Sequence, residues 1–375
     1  YLMFTIPPEL DGAGLIAYAA VTYILWGVTY TMMDIPYWSM IPAFTEAGKE
    51  REGLSAFARS CAGVGSALIS IITVGSVVAL GKMCGGTTDN EINRLGYSKF
   101  ALIIAVIFVI FIAITCLFVK EKSTVDMQTA SIKDMFKALI QNDQAMTVVV
   151  AIVMINSALY ITQQLVYFFL KYDFSPKTYV GDFTLFNMVG GGFQIISMML
   201  LFPLLRKFMD TVKIFYTCFA MAITGYVIII VISLTGTSNV AFLLLPAAII
   251  MSAVGVLNVI ITVFLANTVD YGELKNNRRD ESVIFSMQTF VVKLASGIAG
   301  FISSMVLYIF HISSDKKAVV AEPISQASRM GLRFSMTLIP IAVLVIGAIV
   351  FAKKYILTDK KMSEITVELN SRKAQ

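Results

Sequence analysis

Charged residues are scarce in this sequence. Asp, Glu, Lys and Arg make up only 14% of its 375 residues, whereas apolar residues make up 57% and the mean hydropathy is +0.79. Because a soluble domain usually carries about a quarter charged residues, this composition cannot supply a water-exposed surface. A soluble enzyme, a disordered chain and a small disulfide-stapled secreted domain are therefore excluded.

Histidine and paired cysteines are also missing. The single histidine, His311, excludes a multi-histidine metal site. The four cysteines, at positions 61, 84, 116 and 218, form no C-x-x-C pair, so they indicate neither a metal site nor a disulfide framework. The sequence offers no nucleophile–base pair either. We therefore expect a protein that is not an enzyme and that has no cofactor.

What the sequence has instead is a series of long apolar blocks, each able to cross about 30 Å of hydrocarbon as a helix. The blocks and their breakers predict nine full spans after an apolar stub at residues 1–7. The predicted spans lie at about 12–44, 54–80, 99–119, 144–170, 179–205, 212–236, 239–270, 283–311 and 333–355. Because the chain opens inside an apolar run, we expect earlier spans upstream of Tyr1.

Positive charge predicts the orientation of these spans. The connections on one side, counted together with the C-terminal tail, carry more than twice as many lysines and arginines as the connections on the other side. That excess marks the cytoplasmic side, and it accounts for the net charge of +5 without a nucleic-acid partner. We expect a multi-pass protein of a bacterial inner membrane with a cytoplasmic C-terminus.

The connection over 120–143 is longer and more polar than the others, and its Ile132, Met135, Phe136 and Leu139 form a short amphipathic face. Six spans follow this connection, and three full spans and the stub precede it. This arrangement predicts an all-α major facilitator fold of two six-helix bundles, truncated at its N-terminus. Residues 1–119 would be the remainder of the first bundle, 144–355 the second bundle and 356–375 a cytoplasmic tail.

Asp34 is an ionisable residue well inside a predicted span, where a charge costs at least about 2.5–3.5 kcal/mol. Helical spacing places Tyr30, Asp34 and Trp38 on one stripe, with Thr31 beside it. An acid, a hydroxyl and an indole on one face suit a sugar, whose hydroxyls donate to carboxylates and whose C–H face stacks on aromatic rings. The alternative is that Asp34 is a structural hydrogen-bonding group and Trp38 an interfacial anchor.

Two cations also lie within predicted spans. Arg59, about one turn into its span, either faces the transport path or extends to the cytoplasmic interface. Lys293, about ten residues into its span and one turn from Thr289, requires an anionic partner. A lysine in one bundle and Asp34 in the other indicate a cavity at the middle of the membrane, with a plain buried ion pair as the alternative.

Two predicted cytoplasmic segments carry charges of both signs: Lys49-Glu50-Arg51-Glu52, and the end of a span at Asp270 with the following residues 278–281. Such charges could pair across the bundles when the cytoplasmic side closes. The alternative is a solvated charged loop.

The chain carries five motifs in this order: Met-Asp-Ile-Pro-Tyr-Trp-Ser (33–39), Lys-Glu-Arg-Glu (49–52), Val-Asp-Tyr-Gly-Glu (269–273), Arg-Arg-Asp-Glu-Ser (278–282) and Gln-Thr-Phe-Val-Val-Lys (288–293). With them it resembles the glycoside–pentoside–hexuronide:cation symporters, above all the melibiose-permease branch. The resemblance implies a sugar site at Asp34, Trp38 and Arg59, with Tyr30 beside it, a cation site near Thr31 and Asp34, and a role for Lys293 in both sites. It implies a cytoplasmic gate at Arg51, Glu52, Asp270 and Arg279.

The same resemblance implies import of a sugar or glycoside with Na⁺, H⁺ or Li⁺ by a monomer in the lipid bilayer. The family's coupling carboxylates lie on its first two helices, which would precede this chain. Asn267 stands where relatives often have a second gate acid, and Asn258 where melibiose permease has an aromatic residue near the sugar. A major facilitator transporter of lysolipids or drugs and a non-transporting sugar sensor are the alternatives.

Overall fold

The computed structural model describes residues 1–7, 10–45, 48–119, 140–276, 281–312 and 324–373, and every regular segment within these ranges is helical. A short 3₁₀ turn, Leu2–Phe4, precedes eleven α-helices. They are α1 (Gly12–Phe44), α2 (Lys49–Met83), α3 (Asp89–Phe118), α4 (Asp143–Phe169), α5 (Tyr179–Ile196), α6 (Phe202–Arg206), α7 (Thr211–Leu234), α8 (Ala241–Asn276), α9 (Glu281–Ile309), α10 (Gln326–Lys354) and α11 (Asp359–Lys373).

Eight helical segments among the described residues are long and apolar enough to cross a membrane: Gly12–Phe44, Asn90–Phe118, Asp143–Phe174, Gly181–Arg206, Thr211–Leu234, Ala241–Asn276, Val283–Ile309 and Gln326–Lys354. Helix α2 covers the remaining predicted span, 54–80. The predicted multi-span, all-helical membrane fold is confirmed. Most of the predicted polar connection, residues 120–139, lies outside the described residues together with its amphipathic face.

The end of α4 differs from the sequence prediction. Instead of ending near residue 170, the helix continues into a π-helical turn, Leu170–Phe174. Lys171, which the charge count assigns to a loop, is therefore fully buried, with its Nζ 5.3 Å from the centre of the Tyr172 ring and 5.8 Å from that of Tyr179. Aromatic faces can surround an ammonium group favourably in this way.

Two compact units divide the described chain. One contains Tyr1–Phe44 and Ala62–Met127, and the other contains Thr45–Cys61 and Gln128–Gln375. The first part of α2, up to Cys61, thus belongs to the second unit. In that unit α4 packs against α9 and α10, and α8 packs against α5 and α7. Helix α8 is the most enclosed of the candidate spans, because 83% of its most apolar 18-residue stretch is buried.

Glycine permits the closest contact between α5 and α8. A Cβ on Gly255 would lie 2.1 Å from the Ser197 Oγ and 2.4 Å from the Gln194 carbonyl oxygen, so no larger residue fits there without a shift of the backbone. Gly190 also lies near α8, where a Cβ would lie 3.0 Å from Met251 Cγ. Small residues let membrane helices approach closely in this way.

The C-terminal tail forms helix α11, which packs against the end of α8. Its apolar face, Met362, Ile365 and Leu369, is buried together with Leu357. This cluster packs on Tyr271 and Leu274 near the end of α8, and on Tyr355 just after α10. The Arg372 Nη1 also donates to the Leu274 carbonyl at 3.3 Å. The tail is therefore an integral part of the second unit.

Candidate functional site

Asp34 is the centre of a polar group on α1. The Trp38 indole Nε1 donates to Asp34 Oδ1 at 3.0 Å, and the Tyr30 hydroxyl donates to the same oxygen at 3.2 Å. Both contacts join residues four apart, which neighbour each other on a helix surface. The stripe predicted from helical spacing is therefore present, with two donors fixing one carboxylate oxygen.

Aromatic rings extend this group along α1. The Tyr30 ring stacks on Trp26 with centroids 5.5 Å apart, and Tyr37 meets Trp38 edge to face at 5.2 Å. Tyr30 and Trp26 are 37% and 44% exposed, so their rings remain accessible. An oriented carboxylate beside accessible aromatic rings can accept hydroxyl groups and stack an apolar ring face.

Thr31 and Pro36 lie on α1 beside the polar group of Asp34. The Thr31 hydroxyl donates to the Gly27 carbonyl at 2.7 Å, so its proton is used and its oxygen lone pairs are what a cation could bind. Pro36 and Pro42 lie inside α1, and the helix continues through both. Each proline removes a backbone donor from the helix. Within the described residues, no group of three or more His, Cys, Asp or Glu could hold a metal ion.

Arg59 lies on the first part of α2, which belongs to the second unit. Its Nε donates to the Thr262 Oγ1 of α8 at 2.8 Å, and Thr262 in turn donates to the Asn258 carbonyl at 3.0 Å. Thr262 is completely buried. Lys293 lies near the middle of α9 with an exposed side chain. Asp34 belongs to the first unit, whereas Arg59 and Lys293 belong to the second.

A cluster of ion pairs joins the start of α2 to the ends of α6 and α8 and to the start of α11. We call it the ion-pair cluster; its members are Arg51, Glu52, Arg206, Asp270 and Asp359. The Arg51 Nη1 lies 2.6 Å from Asp270 Oδ2, and these side chains are only 1% and 8% exposed. A buried charge pair of this kind is strongly favoured over either charge alone.

Neutral acceptors complete the surroundings of Arg51. Its Nη1 donates to Asn267 Oδ1 at 3.1 Å and its Nη2 to the Thr45 carbonyl at 2.7 Å. Asn267 occupies the position where relatives often have an acid, so its amide keeps the hydrogen bond without adding a second negative charge. The Arg51 Nε also donates to the Thr45 Oγ1 at 3.5 Å. The guanidinium is thus held by one carboxylate and three neutral oxygens.

Arg206 holds the other half of the cluster. It donates to both carboxylate oxygens of Glu52, at 2.6 and 2.9 Å. Its Nη2 lies 2.6 Å from Asp359 Oδ2, and the other oxygen of Asp359 accepts from the Thr211 hydroxyl at 2.5 Å. Arg206 therefore connects α2 to the C-terminal helix.

The sequence predicts Arg51, Glu52 and Asp270 as gate residues, and the structure brings these three into one cluster with Arg206 and Asp359, which the sequence did not single out. A useful signal was the acid at the start of α11, which faces the basic end of α6. Arg279, the fourth predicted gate residue, lies outside the described residues.

A second buried ion pair lies in the same unit, away from these residues in sequence. The Arg333 guanidinium of α10 binds both oxygens of Asp173, at 2.5 and 2.7 Å, and the Asp173 side chain is 1% exposed. Because Asp173 lies in the π-helical turn after α4, this contact joins two neighbouring helices of one unit. It has the geometry of a structural brace.

Comparison with known proteins shows similarity to sugar transporters. The family model described as "MFS/sugar transport protein" matches residues 1–359. The raffinose carrier protein of Pediococcus pentosaceus is 28% identical over 356 residues, which are 93% of this chain and 53% of that protein. The isoprimeverose transporter of Lactiplantibacillus pentosus is 28% identical over 313 residues, which are 82% and 61% of the two chains.

A lactose permease of Lactobacillus helveticus is 24% identical over 359 residues, 94% of this chain and 54% of the permease. The chain therefore spans about half the length of the raffinose carrier and of this permease. Among solved structures, a bacterial homologue of the iron transporter ferroportin, in its outward-facing state, matches with a TM-score of 0.58 and 13% identity over 92% of this chain and 75% of the other. At that identity the likeness shows the fold alone.

Proposed function

Because this chain belongs to the MFS/sugar transport protein family, a family of transporters rather than enzymes, we propose that it imports a sugar or glycoside together with a cation. The observation that carries the proposal is the pair of donors, Tyr30 and Trp38, on one oxygen of Asp34 inside an apolar helix. The family membership supports a role for this group in transport. The names of the raffinose, lactose and isoprimeverose relatives support a sugar as its cargo.

Asp34 is the proposed anchor for the sugar. A carboxylate accepts charge-assisted hydrogen bonds, which are about twice as strong as neutral ones, and sugar hydroxyls are suitable donors. The two donors on Oδ1 fix the plane of the carboxylate before the sugar arrives. Trp38 then offers an indole face for the C–H surface of the sugar ring. The family resemblance implies Arg59 as a further donor to sugar oxygens.

The coupling cation is proposed to bind near Thr31 and Asp34, and its main carboxylate ligands would lie on helices that precede this chain. Support comes from the family resemblance and from the free lone pairs of the Thr31 hydroxyl. Lys293 would respond to both sites as a mobile positive charge. If the cation raises the affinity for sugar, the sugar must raise the affinity for the cation by the same factor.

Alternating access requires a gate on each side of the membrane. We assign the ion-pair cluster to the cytoplasmic gate in its closed form, because the burial of the Arg51–Asp270 pair requires that water be excluded from that end. Opening would separate α2 from α8 and allow the charges to be hydrated. This assignment agrees with the proposed inner-membrane location and cytoplasmic C-terminus.

The test uses the full-length transporter in proteoliposomes with an imposed cation gradient. We expect gradient-driven uptake of raffinose or lactose, and we expect Asp34→Asn to weaken sugar binding by about a hundredfold, since hydrogen bonds to a charged group contribute about 1.5–3 kcal/mol each. Asp210→Asn is the matched control, because Asp210 is exposed and its ion pair is with Lys213, three residues along the chain.

The control must also show that both variants insert and fold equally. Normal uptake by Asp34→Asn would remove the basis of the proposed sugar site. Sugar binding without uptake would indicate a sensor, and transport of lysolipids or drugs without sugar binding would indicate another substrate class.

A further inference from the structure

Two arginines on α2 make matching contacts with α8. Arg51 and Arg59 are eight residues apart, and their partners Asp270 and Thr262 are eight residues apart in the opposite order. Eight residues of α-helix rise about 12 Å. The two segments therefore run antiparallel over about two turns. Ser55 lies midway between the two arginines and Ala266 midway between their partners, and both are completely buried. We call these six residues the α2–α8 seam.

The polarity of the Arg59 contact is fixed. A threonine hydroxyl has one proton, and Thr262 donates it to the Asn258 carbonyl at 3.0 Å. Its oxygen is therefore an acceptor for the Nε of Arg59 at 2.8 Å. Thr262 is completely buried and Arg59 is half-buried, so the acceptor is shielded from water. A side chain without an acceptor at position 262 would remove this partner from the Arg59 Nε.

The contact also sets the orientation of the guanidinium. Arginine presents its donors in a rigid planar fork, so holding the Nε fixes the directions of both terminal amino groups. A group oriented before the ligand arrives loses less freedom on binding. The geometry at Thr262 thus determines where Arg59 can donate to a sugar.

On the basis of the proposed function, we propose that Thr262 is a positioning residue for Arg59, and that the α2–α8 seam couples sugar affinity to the cytoplasmic gate. Arg51–Asp270 and Arg59–Thr262 join the same two helices, so separation of α2 from α8 breaks both contacts. Opening of the gate then releases Arg59 from its sugar-binding orientation. The sugar is held tightly while the cytoplasmic side is closed and weakly once it opens.

The first experiment compares sugar affinity in three variants of the full-length protein. Thr262→Val keeps the shape of the side chain and removes the acceptor, and we expect it to raise the Kd for sugar about tenfold, since a lost hydrogen bond from a charged group costs about 1.5 kcal/mol or more. Thr262→Ser restores the hydroxyl, and we expect a Kd within about threefold of wild type. Thr268→Val is the control: Thr268 is equally buried on the same helix, and its hydroxyl bonds to the Leu265 carbonyl.

The second experiment tests coupling. Asp270→Asn weakens the gate contact, and we expect it to raise the sugar Kd in the wild-type background. In the Thr262→Val background the same substitution should have little further effect, because the Arg59 contact is already absent. Interacting sites show such non-additivity, whereas independent sites add.

The outcomes distinguish this inference from the proposed function. If wild-type protein binds sugar and Thr262→Val binds it as tightly as Thr268→Val, Thr262 has no positioning role. If Asp270→Asn raises the Kd by the same factor in both backgrounds, the seam does not couple the gate to the sugar. Absence of sugar binding by the wild-type protein would overturn the proposed function, and the inference with it.

Discussion

Asp270→Asn is the most informative change to the proposed gate. It preserves the shape of the side chain and removes the negative charge that lies 2.6 Å from Arg51. Arg51, whose side chain is 1% exposed, would then keep only neutral acceptors such as Asn267 and the Thr45 carbonyl. The closed state therefore loses stability relative to an open state in which water can reach Arg51.

Burial determines the expected size of this effect. Removing one partner of a buried ion pair costs about 3–5 kcal/mol, whereas an exposed pair contributes about 0–1 kcal/mol. A loss of about 3 kcal/mol changes the ratio of closed to open protein about 150-fold. Lys275→Gln is the matched control, because the Lys275–Asp143 pair is 2.5 Å long but its side chains are 43% and 53% exposed. The control should change the ratio by at most about fivefold.

Ser55→Cys supplies the assay. Ser55 is completely buried one turn from Arg51, and its hydroxyl has no hydrogen-bond partner among the described residues, so a thiol replaces it at little cost. In a background without the four native cysteines, a maleimide added on the side of the C-terminus reacts with Cys at this position only when the gate opens. We expect Asp270→Asn to raise the labelling rate by tenfold or more. Equal rates for Asp270→Asn and Lys275→Gln would refute the assignment of the gate.

Two further changes test the second unit itself. Ile365→Asp places a charge in the buried cluster under α11, and we expect the tail to detach and the Tm to fall by several degrees. Thr366→Asp, at the neighbouring partly buried position, should change the Tm little. An unchanged Tm for both variants would show that the tail does not stabilise the unit. Arg333→Gln leaves the buried Asp173 carboxylate without its bidentate partner, at a cost of about 3–5 kcal/mol. Thermal unfolding should therefore begin well below that of the control Lys361→Gln, which removes an exposed pair. Similar unfolding curves for the two would contradict the proposed brace.

Local contacts were predictable from the sequence because helical spacing alone determines them. Tyr30, Asp34 and Trp38 are four residues apart on one helix, so their convergence follows once α1 is predicted as a helix. The helical spans followed similarly from the apolar blocks, since a chain in hydrocarbon must satisfy its backbone groups within each segment. The extension of α4 to Phe174 was not predictable, because Lys171 resembles a loop residue until its aromatic surroundings are known.

Contacts between distant segments required the tertiary structure. Arg206 binds Glu52 across 154 residues of sequence, and Arg59 binds Thr262 across 203. Such pairs depend on the register of one helix against another, which no local pattern encodes. The low charge content by itself determined that this protein lies in a membrane and left few polar residues to consider. Only the tertiary arrangement of the helices decided which of those residues meet, because a charge inside an apolar unit must be paired and the fold alone supplies its partner.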